Sequence, residues 1–161
     1  MSKEKFLRCL TPIYIAAAAF VWDQLTKLLV RSYLTLGETR PVLPCFNLTY
    51  RLNPGVAFSM LDHIKGGRYL LSAVAVIVVI FILSLFWRGK NPKGRIGKLS
   101  LGLIMGGALG NMLDRLLPPH YAVVDFIDCY WKTHHWPAFN VADSCITIGA
   151  FLLLIICLKE D

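Results

Sequence analysis

Four long apolar segments, separated by polar connections, divide the chain. They cover about residues 10–30, 69–87, 96–113 and 141–158. Each is close to the ~20 residues that a helix needs to cross a hydrocarbon layer of ~30 Å. Because backbone groups in lipid must be hydrogen-bonded within their own segment, the pattern predicts four transmembrane helices. We therefore expect an all-α integral membrane protein, with residues 1–161 forming a single domain.

The third apolar segment is unusually rich in glycine. Glycine destabilises a helix in water, but in a membrane it lets neighbouring helices approach closely. The glycines concerned are Gly102, Gly106, Gly107 and Gly110. The third helix is therefore expected to pack tightly against its neighbours.

A different pattern occupies the first long connection. Residues 46–52 alternate between apolar and polar side chains, which is typical of a β-strand with one covered face. Pro54 and Gly55 follow immediately and indicate a turn. We expect a small extracytoplasmic β-element here, lying on the membrane surface.

Composition and charge support this interpretation and add an orientation. The sequence is 56% hydrophobic and 17% charged, too apolar for a soluble domain of 161 residues. Its net charge of +7 does not indicate nucleic-acid binding, since the basic residues cluster beside the apolar segments. Residues 88–98 contain five basic and no acidic residues, which predicts that this connection faces the cytoplasm. Both termini are then cytoplasmic, and connections 31–68 and 114–140 face outward.

The N-terminal segment and the cysteines each leave an alternative open. Lys3, Lys5 and Arg8 precede an alanine-rich stretch, as in a cleavable secretory signal. The apolar pattern resumes at residues 28–30, however, so we favour an uncleaved first helix. Of five cysteines, none forms a Cys-x-x-Cys motif. Cys45 and Cys129 both lie in outward connections, where a disulfide between them stays possible.

Polar side chains in or beside the apolar segments carry the clearest functional signal, because lipid makes them costly. With the orientation above, all of them fall near the outer membrane surface. They are Asp23, Lys27, Asn111, Asp114, Arg115, Asp125, Asp128, Asn140 and Asp143. Their common depth predicts one functional site at the outer face.

Several of these residues also have a purely structural explanation. Asp23 and Lys27 are four residues apart and can pair on one helix face. Asn140 and Asp143 have the spacing of an N-cap residue and its N3 partner in a capping box. Arg115 can extend to the membrane surface. Taken singly, none of these residues establishes chemistry.

Local environment distinguishes two of the acids. Asp125 is enclosed by Val123-Val124 and Phe126-Ile127, so burial is expected to raise its pKa. Asp143 falls in the first turn of the fourth helix, where the helix dipole and free amides favour the ionised carboxylate. One acid held protonated and one held ionised is the arrangement that an aspartyl peptidase uses to activate water.

The polar motifs together resemble those of bacterial lipoprotein signal peptidases (signal peptidase II). The resemblance covers nearly the whole chain, and the motifs occur in the family's order. The matching stretches are Asp23-Gln24-Leu25-Thr26-Lys27, Asn53-Pro54-Gly55-Val56-Ala57-Phe58, Gly106-Gly107-Ala108-Leu109-Gly110-Asn111, Asp114-Arg115, Val124-Asp125-Phe126 and Phe139-Asn140-Val141-Ala142-Asp143.

The resemblance implies an enzyme of the bacterial inner membrane that removes signal peptides from diacylglyceryl-modified prolipoproteins, just before the lipidated cysteine. It implies that Asp125 and Asp143 are the catalytic dyad, with no metal or cofactor, and that globomycin is an inhibitor. The residues that it implies for placing the substrate or supporting the dyad are Asn53, Asn111, Arg115 and Asn140. More structural positions are Asp23, Lys27, Gly55 and Gly107. Spacing alone would also allow Asp128 into the dyad, although the motif falls on Asp125.

Two other classes of protein share some of these sequence features. A zinc enzyme would draw ligands from His120, His134, His135, Asp125 and Asp128, but adjacent histidines rarely bind one metal and no His-Glu-x-x-His motif is present. A proton-coupled transporter would also use intramembrane acids, although usually near the membrane midplane and within repeated halves. The sequence shows acids at the outer edge and no repeat, which favours the peptidase.

Overall fold

The computed structural model describes residues 3–55, 67–90, 92 and 94–160, and its elements follow the order α-β-β-α-α-β-β-α. The helices are α1 (Lys3–Tyr33), α2 (Gly67–Trp87), α3 (Gly94–Leu116) and α4 (Val141–Glu160). The strands are β1 (Thr39–Leu43), β2 (Phe46–Asn53), β3 (Val123–Trp131) and β4 (His134–His135).

All four predicted helices are confirmed, and each extends a few residues beyond its apolar segment. Each contains a stretch long and apolar enough to cross a membrane. Large apolar side chains such as Ile77, Phe81 and Phe151 point away from the bundle and are exposed, as expected for surfaces that lipid covers. The α1 helix continues without a break through its alanine-rich stretch.

The α3 helix lies at the centre of the bundle and contacts the other three helices. Of its apolar stretch 56% is buried, against 11% for α4. Its glycines allow this position, because a Cβ atom on Gly106 would lie 2.5 Å from the Ala16 carbonyl oxygen of α1. The predicted close packing of the glycine-rich helix is confirmed.

The β-element is larger than predicted. The four antiparallel strands form the order β1-β2-β3-β4, with two strands from the connection between α1 and α2 and two from the connection between α3 and α4. The predicted strand is confirmed as β2, and the sheet also includes β3 and β4, which the sequence did not predict. The β3 strand escaped prediction because residues 123–127 lack the apolar–polar alternation of a one-sided strand.

Both faces of β3 are covered. Val124 and Phe126 lie on one face and pack with Val30 and Leu34 at the C-terminal end of α1. Asp125 therefore points to the opposite face, where it is only 5% exposed. The sheet thus rests on α1 while presenting Asp125 to the helix bundle.

Two smaller expectations concern the first connection. Gly55 adopts a left-handed conformation (φ 119°), and its N–H donates to Asn53 Oδ1 (2.9 Å), which confirms the predicted turn. The rest of that motif, residues 56–58, lies outside the described residues. Cys45, in the turn before β2, and Cys129 on β3 are free thiols, although the Cys45 carbonyl accepts a hydrogen bond from Tyr130 N–H next to Cys129 (3.0 Å).

Candidate active site

A short backbone pairing places the start of α4 beside β3. The N–H groups of Phe126 and Ile127 donate to the Phe139 carbonyl (3.0 and 2.8 Å), and Phe139 N–H donates back to Ile127 (3.1 Å). The next residue, Asn140, is fully buried and opens α4. Two segments separated by a hairpin in the chain therefore meet at Asp125.

Asn140 links the two aspartates of the predicted dyad. Its side-chain oxygen accepts from Asp143 N–H (2.9 Å), while its own N–H donates to Asp143 Oδ2 (3.2 Å). These reciprocal bonds are the predicted capping box. The Asn140 amide nitrogen also donates to Asp125 Oδ1 at 2.7 Å. One residue therefore holds both carboxylates, Asp125 through its side-chain amide and Asp143 through its backbone N–H.

Two further asparagines complete the set of donors. Asn53 on β2 donates to Asp125 Oδ2 (3.0 Å), and Asn111 on α3 donates to Asp143 Oδ1 (2.7 Å). Each of the four carboxylate oxygens thus accepts a hydrogen bond from an amide. We call Asp125, Asp143, Asn53, Asn111 and Asn140 the dyad cluster.

The orientation of each asparagine side-chain amide follows from the group that its oxygen atom contacts. Asn53 Oδ1 accepts from Gly55 N–H, and Asn140 Oδ1 accepts from Asp143 N–H. Asn111 Oδ1 accepts from the Lys27 ammonium at 3.0 Å. Because those groups can only donate, each asparagine must turn its oxygen toward them and its NH2 toward a carboxylate.

The environment of Asp125 favours its protonated form. Burial raises the pKa of Asp125 to about 6, although the hydrogen bonds from Asn53 and Asn140 act in the opposite direction. The charge of Asp143 contributes to the increase, which shows that the two carboxylates interact. The expected rise in the pKa of Asp125 is confirmed.

Arg115 lies at the edge of this cluster. Its Nη1 donates to the Asn111 carbonyl at 3.3 Å, and its charge interacts with Asp143 and Asp125. Its Nε is buried and has no hydrogen-bond partner among the residues described.

A second group of charges adjoins the dyad cluster. Lys27, 1% exposed, contacts Asp23 Oδ2 and Asp114 Oδ2, both at 2.7 Å. The predicted Asp23–Lys27 pair is confirmed, and Asp23 Oδ1 additionally accepts from Ala142 N–H (2.8 Å) in the first turn of α4. We call Asp23, Lys27 and Asp114 the ion-pair cluster. It fixes α1 to α3 and to the start of α4.

Two residues of this region had received no role from the sequence. Asp114 completes the ion-pair cluster, and Gln24 donates to Asp23 (3.1 Å) and to the Gly110 carbonyl (3.3 Å). Asp114 had been noted only for its depth. A usable signal was its position three residues after Asn111, which puts both side chains on one helix face.

Gly107 has a steric role beside the dyad. A Cβ atom there would overlap the Ala142 carbonyl oxygen and come within 2.9 Å of Ile146 Cγ1. Only a glycine allows α3 to lie this close to the first turn of α4. Gly55, whose turn holds the Asn53 side chain, is likewise constrained by its positive φ.

The alternative acid Asp128 points elsewhere. Its carboxylate accepts from Asn47 (2.9 Å) and lies 2.8 Å from His135 Nδ1. Residues three apart on a strand face opposite sides, so Asp125 and Asp128 cannot share one face of β3. Burial acts to raise the pKa of Asp128, but these hydrogen bonds outweigh it, and the pKa lies below its ordinary value.

The histidines of the alternative zinc site are also dispersed. His135 pairs with Asp128, while His120 Nε2 lies 3.2 Å from the Tyr50 hydroxyl. Within the described ranges, no three His, Cys, Asp or Glu side chains are grouped as metal ligands. The candidate ligands thus serve separate contacts.

A cavity of about 420 Å³ opens beside Asp143. Its walls are Trp136, Phe139, Asp143, Ser144, Thr147 and Ile148. A substrate group in this cavity would lie next to a carboxylate of the dyad cluster. Two interacting carboxylates, with one favouring its protonated form, can supply a general base and a general acid to a water and a peptide carbonyl.

The comparisons with known proteins agree on one family. A family model described as "Signal peptidase (SPase) II" matches residues 15–159. The lipoprotein signal peptidase of Alteromonas mediterranea is 44% identical over 145 residues, covering 89% of this chain and 78% of that protein. The enzyme of the same name from Shewanella piezotolerans is 47% identical, covering 88% of this chain and 82% of its own.

Solved structures show the same architecture. One described as a bacterial membrane enzyme, determined by the in meso method at 1.9 Å resolution, superposes with a TM-score of 0.81 at 32% identity and covers 94% of each chain. A second, at 2.3 Å resolution, gives a TM-score of 0.80 at 32% identity, covering 93% of this chain and 88% of that one.

Proposed function

Because this chain belongs to the signal peptidase II family, we propose that Asp125 and Asp143 are the dyad with which it cleaves its substrates. The chain is a multi-pass membrane aspartyl peptidase of bacteria that removes signal peptides from lipid-modified prolipoproteins. The observation that carries the assignment of the dyad is Asn140, whose side-chain amide donates to the Asp125 carboxylate and whose backbone N–H donates to that of Asp143. The scissile bond is the one just before the lipidated cysteine.

The mechanism uses one proton shared between the two acids. Asp125 is the member that carries the shared proton, because burial raises its pKa to about 6, and Asp143 is its ionised partner in the first turn of α4, where free N–H groups stabilise a carboxylate. Asp143 takes a proton from a water as its oxygen attacks the peptide carbonyl, and Asp125 donates its proton to the carbonyl oxygen. Asp143 then protonates the leaving nitrogen, while Asp125 recovers a proton from the intermediate as the C–N bond breaks.

The asparagines and Arg115 support this cycle. Asn53, Asn111 and Asn140 hold the carboxylates in place with amide donors, which do not cancel their charge. The charge of Arg115 interacts with both aspartates and stabilises the negative charge that the dyad carries. Asp23 and Lys27 fix the helices behind the site, and Gly55 and Gly107 permit the turn and the helix contact that it needs.

The enzyme's orientation follows from its charges. The basic connection over residues 88–98 lies in the cytoplasm, so both termini are cytoplasmic and the sheet and dyad lie at the outer face of the inner membrane. The substrate, a diacylglyceryl-modified prolipoprotein, is held in the membrane by its own lipid. Membrane lipid covers the outer surfaces of the helices, and globomycin is expected to inhibit. The cycle consumes only water, with no metal or cofactor.

A cleavage assay on a diacylglyceryl-modified lipopeptide tests this assignment. Asp125→Asn and Asp143→Asn should each lower kcat by roughly 10²–10⁴, the contribution that general acid–base groups make. Thermal unfolding in detergent should stay close to wild type, because an asparagine fits the same amide-lined space.

The matched control is Asp128→Asn on the same strand, which should keep most of its activity. Substantial cleavage by either Asp125→Asn or Asp143→Asn, with the protein folded, would reject this dyad. Loss of activity in all three variants would point to the strand rather than the dyad.

A further inference from the structure

The ammonium group of Lys27 makes one contact that the neutralisation of buried acids does not require. It lies 2.7 Å from Asp23 Oδ2 and from Asp114 Oδ2, and it donates to the side-chain oxygen of Asn111 at 3.0 Å. An ammonium group has three N–H donors, so these three contacts use all of them. The third donor therefore points out of the ion-pair cluster and into the dyad cluster.

The side-chain amide of Asn111 fits its site in two orientations. A half-turn of an asparagine amide exchanges its oxygen and its NH2 group while the shape stays nearly the same. In the structure, the NH2 group donates to Asp143 Oδ1 at 2.7 Å. The reversed amide would bring its oxygen against that carboxylate, so Asp143 would lose a donor and face a second acceptor.

Lys27 is the stronger of the two groups that select this orientation. Asn111 Oδ1 also accepts from Asn140 Nδ2, but at 3.3 Å, and the same nitrogen donates to Asp125 Oδ1 at 2.7 Å. The bond from Lys27 is charge-assisted, and such bonds are roughly twice as strong as neutral ones. Without the ammonium group, the two carboxylates of the ion-pair cluster would attract the NH2 group of Asn111 in its place.

We propose that Lys27 is a positioning residue for the cleavage reaction, which acts through Asn111 by holding its NH2 group toward Asp143. The proposal rests on the function proposed above. Lys27 and Asn111 are 1% and 5% exposed, so water does not readily replace either partner. The ammonium group thus has two tasks: it fixes α1 to α3, and it sets which end of an amide the dyad meets.

A direct effect of the Lys27 charge on the dyad is smaller. Burial has the largest effect on the pKa of Asp125 and raises it, whereas the charge of Lys27 has a lesser effect and lowers it. Loss of the direct effect alone would move the alkaline side of the pH profile and leave the maximal rate unchanged. Loss of the Asn111 orientation would lower the maximal rate at every pH.

A double-mutant cycle on kcat, measured on folded protein with the lipopeptide substrate, tests the proposal. Lys27→Met and Asn111→Ala should each lower kcat about thirtyfold, equivalent to about 2 kcal/mol, because each deprives Asp143 of the same donor. The double variant should be no slower than the slower single variant. Independent effects would instead multiply to about 900-fold.

The matched control is the same cycle with Asn53→Ala in place of Asn111→Ala. Asn53 also donates from its amide to a dyad carboxylate, but to Asp125, and its oxygen accepts from Gly55 N–H. The effects of Lys27→Met and Asn53→Ala on kcat should therefore multiply. If Lys27→Met does not fold in detergent, both cycles are measured with Asp114→Asn in every member, because this removes one of the buried charges left without a partner.

The outcomes separate this proposal from the one that it rests on. If wild type does not cleave the lipopeptide, the proposed function fails. If wild type cleaves it but the effects of Lys27→Met and Asn111→Ala multiply, Lys27 serves the fold alone and the positioning role is rejected. That role is also rejected if both cycles show the same coupling, or if Lys27→Met only moves the alkaline side of the pH profile.

Discussion

Two pairs of acids lie side by side at the end of the bundle that carries the sheet, and they are held in opposite ways. In the ion-pair cluster, Asp23 and Asp114 both contact the ammonium group of Lys27. In the dyad cluster, Asp125 and Asp143 accept hydrogen bonds from amides, and neither forms an ion pair within the described part of the chain. Asn111 joins the two, accepting from Lys27 and donating to Asp143.

The difference shows how one depth of the membrane can contain both structural and reactive carboxylates. An ammonium group cancels the charge of a buried carboxylate and fixes its position, so the acid stabilises the fold. An amide fixes position without adding a positive charge, so protonation stays possible. The type of partner, more than burial, distinguishes the two pairs, since Asp23, Asp114 and Asp125 are all buried.

The largest expected effect comes from removing the cation. Lys27→Met should lower the free energy of unfolding by about 3–5 kcal/mol, because two buried carboxylates lose their counter-charge. Thermal unfolding in detergent measures this loss. The exposed Lys90→Met, at the other end of the bundle, is the control and should unfold as wild type does.

A double variant tests whether the uncompensated carboxylate charges cause this loss of stability. Adding Asp114→Asn to Lys27→Met removes one of the uncompensated charges and should recover part of the lost stability. If Lys27→Met alone unfolds at the wild-type temperature, the distinction between the two clusters is wrong.

The pH dependence of cleavage offers a smaller effect. Cleavage requires Asp125 to be protonated, so activity should fall as pH rises through its pKa of about 6 and the profile should be bell-shaped. The hydrogen bond from Asn53 lowers that pKa. Asn53→Ala should therefore move the alkaline side of the kcat/KM profile to higher pH, by up to about one unit.

Asn47→Ala is a close control for this measurement. Asn47 also lies on β2 and also donates to an aspartate of β3, but to Asp128 instead of Asp125. Its profile should coincide with that of wild type. A shift of the same size in both variants would mean that the sheet, and not the amide at Asp125, sets the profile.

The smallest expected effect concerns Asp128, which is buried like Asp125 but whose pKa is lowered by its partners. An aspartate of this kind adds stability above its unfolded pKa, and that stability is lost as pH falls through the folded value. At neutral pH, Asp128→Asn should cost about 1 kcal/mol of stability. Cleavage should stay within about threefold of wild type, less than about 1 kcal/mol in barrier. A larger loss of activity would assign Asp128 to the reaction.

The sequence predicted the parts of this structure that depend on local pattern. The four spans follow from apolar length, the Asn140–Asp143 capping box from spacing, and the burial of Asp125 from its apolar neighbours. The β3 strand was missed because burial on both faces removes the alternation that identifies a strand.

Such local patterns cannot predict contacts between segments that lie far apart in the chain. The bond from Ala142 N–H to Asp23 spans 119 residues, and the bond from Asn53 to Asp125 spans 72. The predicted topology placed these residues at one depth, but it did not predict which of them would pair. The role of Asp114 was missed for that reason, since its partner Lys27 lies on another helix.

Each asparagine of the dyad cluster uses both ends of its side-chain amide, and this has a consequence for the evolution of drug resistance. Asn53, Asn111 and Asn140 each accept a hydrogen bond at one end of the amide and donate to a catalytic carboxylate at the other. An aspartate at any of these positions loses the donor, and an alanine loses both ends. A bacterium challenged with a compound that binds between the aspartates therefore has few viable escape routes through the amides. Resistant variants should instead accumulate along the cavity wall, at positions such as Thr147, where the catalytic geometry is not at stake.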